Sequence, residues 1–308
     1  MSMESVAVVI CCYNGASRLP KTLERLSVQR DLSLVILVDN ASSDETAAVA
    51  QRVWNESGAD FSLQVVSESR AGIVYARQCG LNAALNAEVD VVLFVDDDNW
   101  LNGQWAPVLK RVFLENPQVA AVGGLGRAVC EGDDTPSWFI QHQAAYACGP
   151  QGEPGLVPFS RGFLFGACLA LRMEAWRSIA SKFSPFLTGR QGNQVLAGDD
   201  AELCLFLQEH GWRLWYEPSL CFEHYMPRGR LTIEYLERLC FGFGLSSRVL
   251  LVRRSKLDGN HLRRTIAQLR WLYRLYFSLR LAVASLSLFF SARPHAAFAT
   301  LRGAAQAV

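Results

Sequence analysis

Five short apolar runs, separated by helix-patterned stretches, fill the first 125 residues and restrict the fold more than any other feature. The runs are 6–12 (VAVVICC), 34–38 (LVILV), 63–66 (LQVV), 91–95 (VVLFV) and 119–122 (VAAV). Most are apolar throughout instead of alternating, which is the pattern of strands covered on both faces. Helical stretches near 18–28, 43–55, 71–86 and 102–115 lie between them. Such alternation predicts an α/β fold with a doubly wound, mostly parallel sheet. Ser43 or Asp44 is expected to cap the second helix, and Asn102 with Gly103 to open the fourth. A further apolar run at 163–171 precedes a helix near 173–182. The irregular segment from 127 to 162, rich in Gly, Pro and aromatic residues, reads as a functional loop.

The fourth run carries the strongest chemical signal. In VVLFVDDDNW (91–100) it ends in Asp96, Asp97 and Asp98. Three adjacent carboxylates repel one another unless a cation sits among them, and the carboxyl edge of an open α/β sheet is where ligands bind. An oxygen-only donor set suits Mg²⁺ or Mn²⁺, ions that usually bridge to a substrate diphosphate. Taken alone, the triplet also fits a solvated acidic turn.

Three more stretches fall at strand ends. Cys11-Cys12-Tyr13-Asn14-Gly15 follows the first strand, and Val38-Asp39-Asn40-Ala41-Ser42-Ser43-Asp44 follows the second. Ala71-Gly72-Ile73-Val74-Tyr75-Ala76-Arg77 opens the third helix. With the aspartate triplet they would converge on one sheet edge, as a nucleotide pocket with a metal at its floor. Each is ordinary turn chemistry or a solvated helix face when read singly. No GxGxxG follows the first strand, which disfavours a dinucleotide oxidoreductase.

Taken in order, CYNGASRLPKTLERLSVQ, ILVDNASSDET, AGIVYARQCGLNAAL, FVDDDNWL, GACLALRMEAW and GDDAELCLFLQEHGWRLWYEPSLCFEH resemble family 2 glycosyltransferases. The resemblance covers about residues 5 to 245, and RLTIEYLERLCFGFG is similar to a motif of bacterial members. It implies a GT-A fold, inversion at the anomeric carbon of a nucleotide sugar, and an acceptor that is a cell-surface glycan or its lipid-linked precursor. Cys12, Tyr13, Asn14 and Asp39 would then line the nucleotide, with the Tyr13 ring stacking and the Asp39 carboxylate accepting from an imide N–H such as uracil's. Arg77 would face the base or diphosphate as a fixed cation. Asp98 would ligate the metal, with Asp96 or Asp97 on metal or ribose. Asp199-Asp200 takes the place of the family's Glu-Asp pair, whose second member is the general base, so the role falls to Asp200. A carboxylate at a helix start is held by free N–H groups and the helix dipole, which would lower its pKa while Asp199 raised it. The residue reading alone allows a plain N-cap. His224 would complete the metal site, and imidazole beside two carboxylates suits Mn²⁺ better than Mg²⁺. Trp138, Gly166, Ala167 and Asp199 are candidates for the acceptor side.

Composition frames these expectations. Half of the 308 residues are hydrophobic, enough for a substantial core. Nine cysteines without a CxxC pair fit reduced thiols in a cytosolic protein, and the first apolar run is too short for a signal peptide. The net charge of +1 hides an asymmetry: residues 248–308 hold eleven Lys or Arg and one acidic residue, which leaves the first 247 strongly acidic. Residues 261–302 interleave Trp271, Tyr273, Tyr276, Phe277, Phe289 and Phe290 with Arg263, Arg264, Arg270, Arg274, Arg280, Arg293 and Arg302. The longest uncharged stretch there, 281–292, is far shorter than the ~20 residues needed to span a bilayer. An interfacial helix on anionic lipid is expected, placing the protein on the inner face of the cytoplasmic membrane. The competing reading packs the basic helix on the acidic body or on a twin subunit. Nucleic acid is not an expected partner, since no recognition module is present. The expected organisation is therefore 1–245 as the catalytic domain (1–125 nucleotide half, 126–245 acceptor half) and 246–308 as a basic, aromatic tail. Two other classes share the sheet. A nucleotidyltransferase would carry a Gly-rich, basic loop after its first strand, which CCYNGASRLP lacks. A non-catalytic glycan-binding relative would be expected to have lost Asp98 or Asp200.

Overall fold

The computed structural model describes residues 5–132, 135–189 and 197–257, scattered positions between 259 and 278, and the helix His295–Gln306. Strands β1 (Val6–Cys12), β2 (Leu34–Asp39), β3 (Ser62–Ser67) and β4 (Val91–Asp96) pair in parallel, in the order β3-β2-β1-β4. Helices α1 (Leu19–Ser27), α2 (Thr46–Ser57) and α3 (Ile73–Asn86) make the crossovers between them. Successive residues of one strand feed opposite cores, as the two-residue strand period requires. Val6, Val8 and Ile10 pack with α1, α2 and α4 (Trp105–Glu115), whereas Ala7 and Val9 pack with α3, α6 (Met173–Ile179) and α7 (Asp199–Glu209). That is why these runs are apolar throughout.

Beyond β4 the sheet changes direction. Strand β8 (Leu169–Arg172) lies antiparallel between β4 and β6 (Val119–Cys130). Strand β9 (Arg213–Met226) is parallel to β6 and carries β5 (Asn99–Asn102) and the two-residue β7 (Gly155–Leu156) antiparallel. The parallel expectation thus holds across the first half, and the second half is mixed.

Several local expectations are corrected. The fourth helix starts at Trp105: Asn102 ends β5 and pairs with Cys221, Gly103 turns the chain with φ +71°, and Gln29 Oε1 accepts from the Trp105 N–H. The second helix starts at Thr46, whose N–H donates to Asp44 Oδ1 at 3.1 Å, so Asp44 serves the helix end and Ser43 does not. Of the 163–171 run only the last three residues are strand, as part of Leu169–Arg172. The 127–162 segment is more ordered than a loop. Its first residues finish β6, and Phe139, Tyr146 and Cys148 build a third core with Met226 and with Leu236, Leu239 and Cys240 of helix α8 (Ile233–Leu257).

Helix α8 is continuous through residue 245, where the sequence suggested a boundary. Its far half is tied to the catalytic half: Arg253 meets Glu202 of α7 at 2.8 Å, with both side chains nearly inaccessible. The helix His295–Gln306 returns to α8 and crosses it at glycines. A Cβ on Gly244 would collide with the Thr300 carbonyl, and one on Gly303 with that of Phe241. Tyr273, expected at a membrane surface, is instead buried and hydrogen-bonded to Ser247, while Leu269, Leu275 and Tyr276 are exposed. Arg263, Arg264, Arg270, Trp271, Arg274, Phe277, Arg280, Phe289, Phe290, Arg293 and the stretch 281–292 lie outside the described residues. Among the described residues no helix is long and apolar enough to cross a membrane. All nine cysteines are free thiols.

Candidate active site

Strand register gathers the predicted residues. Cys12 pairs with Asp39 across β1 and β2, and Cys11 pairs with Asp96 across β1 and β4, so three motifs end side by side at the carboxyl edge. The turns beyond are tied together. Asn14, in the left-handed region at φ 48°, accepts from the Ser43 N–H at 2.8 Å, and its own N–H donates to Ser42 Oγ at 3.0 Å. Asp39 Oδ1 accepts from the Ser42 N–H at 3.2 Å, and the Tyr13 ring stands exposed at the rim. Buried Asn40 clasps the next turn, donating to the carbonyls of Glu68 and Arg70 and accepting from the Gly72 N–H. Its role was not foreseen, although it lies within a motif that drew attention.

The three aspartates have three different surroundings. Asp97 is neutralised within the protein: Arg18 Nη2 lies 2.6 Å from Oδ2, and the buried Cys12 thiol donates to the same oxygen at 3.2 Å. Gly15 makes this packing feasible, because a Cβ there would collide with the Cys12 sulfur and the Asp97 carboxylate. Asp98 is nearly inaccessible and sits among donors. His224 Nε2 lies 3.4 Å from Oδ1, Asn99 Nδ2 donates to Oδ1 at 2.9 Å, and Arg230 Nη1 donates to Oδ2 at 2.8 Å. Burial pushes the Asp98 carboxyl up, but the charges of His224 and Arg230 outweigh it and hold the group well below the usual carboxylate range. The imidazole responds in kind: burial pushes it down, yet Asp98 raises it to about 10. The Asp96 carboxylate differs again, having no hydrogen-bond or ion-pair partner among the described residues. Burial first, and Asp98 second, push it above its ordinary value.

An unpartnered carboxylate beside a carboxylate–imidazole pair fits a divalent cation, since two oxygens and a nitrogen are donors that Mn²⁺ accepts. In the conformation seen, no three Asp, Glu, His or Cys side chains among the described residues are gathered tightly around one point. Arg230 holds the Asp98 oxygen instead.

Beside Arg77, α7 presents its first turn. Gly198 enters it at φ +106°, and Asp200 accepts from the Ala201 N–H at 2.8 Å and from the Gly166 N–H at 2.6 Å. Burial and the neighbouring charge of Asp199 raise the Asp200 carboxyl to about 6 against the opposing pull of Arg77. The helix start therefore does not decide its acidity. Arg77 Nη1 pairs with Asp199 at 2.5 Å, so its guanidinium turns to the acceptor half. Gly166 lies against both groups, with a Cβ there closer than 3 Å to Arg77 and Asp200, whereas Ala167 is buried in the first core. Trp138 packs on the third core beside Phe139 and His142. The structure thus brings together Cys12, Asp39, Asp96, Asp97, Asp98 and His224 on one side and Arg77, Gly166, Asp199 and Asp200 on the other. Arg18 and Arg230 were missed, and a basic residue in a Gly-containing turn after His224 is the only trace the second left.

Residues 4–241 match the model of glycosyltransferase like family 2, and the chain belongs to that family. It is a glycosyltransferase. A glucosyl-dolichyl phosphate glucuronosyltransferase of Haloferax volcanii is 26% identical over 262 residues, 80% of this chain and 77% of the relative. A pre-mycofactocin glycosyltransferase of Mycobacterium tuberculosis is 27% identical over 224 residues, 72% of this chain but 43% of its own length. Among solved structures, a mannosyltransferase from Pyrobaculum calidifontis in complex with GDP-Man and Mn²⁺ superposes with a TM-score of 0.60 at 18% identity, covering 97% of this chain and 85% of that one. Residues 1–349 of Staphylococcus aureus TarS with UDP-GlcNAc give 0.53 at 12% identity, over 99% and 90%. These likenesses support the GT-A fold.

Proposed function

We propose that the protein transfers a glycosyl group from a metal-bound nucleoside diphosphate sugar to an acceptor hydroxyl, with inversion and with Asp200 as general base. The observation that carries this reading is the half-buried Asp200 carboxylate, held by the Gly166 and Ala201 N–H groups beside the Arg77–Asp199 pair and raised to about 6. Two backbone N–H groups hold Asp200, so its oxygen is oriented before substrate arrives. Near neutral pH it is mostly ionised and basic enough to take the proton of a hydroxyl attacking the anomeric carbon from the opposite face. Arg77 fixes Asp199, which keeps the charge beside Asp200 constant. Asp96, Asp98 and His224 would hold the metal, and a bound divalent ion would offset charge on the departing diphosphate. The solved relatives were captured with GDP-Man and Mn²⁺ and with UDP-GlcNAc, which supports a nucleotide-sugar donor. A uridine base is favoured by the Asp39 carboxylate, which can accept from an imide N–H. The dolichyl-phosphate relative supports a lipid-linked or glycan acceptor, reached by an enzyme lying on the inner face of the cell membrane.

The test is a panel of UDP-, GDP- and TDP-sugars with Mn²⁺, followed by thermal shift and by release of the free nucleoside diphosphate. One donor class is expected to raise the melting midpoint only when Mn²⁺ is present and to be hydrolysed slowly without acceptor. No response to any member, with or without metal, would overturn the proposal.

A further inference from the structure

Asp98 is the carboxylate that a metal most needs, yet in this structure it already has a cation. Arg230 Nη1 donates to Oδ2 at 2.8 Å, while Asn99 and His224 attend to Oδ1. Asp199 and Asp97 also have arginine partners, but Arg77 stands on the regular helix α3 and Arg18 is the residue that caps the start of α1. Arg230 comes from a three-residue turn, Arg228–Arg230, between β9 and α8. The backbone of that turn is pinned. The buried Tyr146 hydroxyl donates to the Arg230 carbonyl at 3.0 Å, and the Arg228 N–H donates to Glu131 at 2.9 Å. Its side chain is 23% exposed, against 4% for Asp98, so the guanidinium reaches solvent while its partner does not. What can move is the long side chain about a fixed Cα.

We propose that Arg230 is an intramolecular counter-ion that occupies Asp98 until metal and donor arrive together, and then turns onto the donor's diphosphate. This rests on the metal and donor reading given above. A guanidinium and a divalent ion cannot share Oδ2, because each repels the other at bonding distance in a poorly solvated site. Metal alone must break an ion pair whose freed arginine gains only water. When a diphosphate is present, the guanidinium exchanges a carboxylate for a phosphate, which its planar fork matches equally well. The two ligands therefore assist one another, and the coupling is reciprocal. The enzyme would resist loading with free metal and accept the metal–donor pair.

The experiment is calorimetric titration of the full-length protein with Mn²⁺ alone, and then with Mn²⁺ in the presence of saturating UDP or GDP. Wild type, Arg230→Met, Arg230→Lys, Arg228→Met and Asp98→Asn are compared. Wild type is expected to bind Mn²⁺ at least ~10-fold more tightly with the nucleotide present, within the usual span of coupling. Arg230→Met should bind Mn²⁺ alone more tightly than wild type and lose most of that coupling, and Arg230→Lys should fall between. Arg228→Met removes the same charge from the same turn without touching Asp98, so it should leave both quantities near wild type. A melting midpoint for each variant confirms that it is folded. If Arg230→Met binds Mn²⁺ no more tightly than wild type while Asp98→Asn abolishes binding, the counter-ion role is wrong and the metal site stands. If Asp98→Asn binds Mn²⁺ like wild type, the metal reading itself fails. An equal gain in Arg228→Met would reduce the effect to net charge and overturn the role of the contact.

Discussion

Asp200 is pulled in opposite directions by its surroundings, and this has measurable consequences. Its carboxyl is raised to about 6, with burial as the leading cause. In the proposed role of base it works only when ionised, so kcat/KM should rise with pH through about 6 and level off above it. Stability should move the other way. Between an ordinary carboxylate value near 4 and about 6, the folded state binds more protons than the unfolded state. Raising the pH through that window therefore removes stability contributed by this group. A pH–rate profile and urea midpoints over the same range check the two signs, and Asp200→Asn should flatten both. That variant should bind donor normally and lose at least ~10²-fold in transfer, the lower range for a general base. Asp98→Asn should abolish metal-dependent donor binding with the fold intact, as read by titration with and without EDTA. Much of the site was legible at this scale, because Asp39, Asp96 and Asp98 fall directly at strand ends. The arginines were not. Arg18 and Arg230 meet their carboxylates across 79 and 132 residues of chain, and no local pattern marks such pairs.

Among the elements, α8 does most to join what the sequence separated. Apolar runs located the first four strands: β1, β2 and β4 are buried on both faces, and β3, at the sheet edge, is only partly buried. They did not locate β5, since Asn-Trp-Leu-Asn becomes a strand only by pairing with β9, and the boundary drawn at 245, from the extent of the family resemblance and the charge of the tail, falls inside a helix. The cost of cutting there is visible in Glu202. Its carboxylate is fully buried on α7, accepts from the N–H groups of Phe186 and Leu187, and has Arg253 as its counter-ion. Removing one partner of a buried pair leaves an uncompensated charge, so Arg253→Met should cost about 3–5 kcal/mol. Lys256, half exposed at the edge of the same cluster, should cost under ~1 kcal/mol when changed to Ala. Urea denaturation of the two variants makes the comparison. A loss for Arg253→Met no larger than that for Lys256→Ala would remove the ion pair from any account of how Glu202 holds Phe186 and Leu187.

For the whole molecule, the charge asymmetry remains the main guide to location. About ten net positive charges follow residue 247, and each Lys or Arg near an anionic surface contributes ~1 kcal/mol. Deleting residues 262–308 would be an impure test, since it also uncovers the glycine face of α8. Changing Arg263, Arg264, Arg270 and Arg274 to Gln is cleaner. Co-sedimentation with anionic vesicles should weaken in that variant and weaken further with salt, because the Debye length near 0.1 M is only about 10 Å. Sedimentation equal to wild type at every salt concentration would favour a tail that packs on protein, with light scattering to reveal a dimer.

The crossing of Gly244 and Gly303 then acquires a mechanical sense. Both ends of the intervening stretch are fastened to one helix, at Leu257 and again where His295–Gln306 lies against α8. A strap held at one end lets the body swivel beneath it, whereas a handle held at both ends fixes how the body hangs. Gly244 and Gly303 set that second fastening, and a side chain at either would push the returning helix off α8.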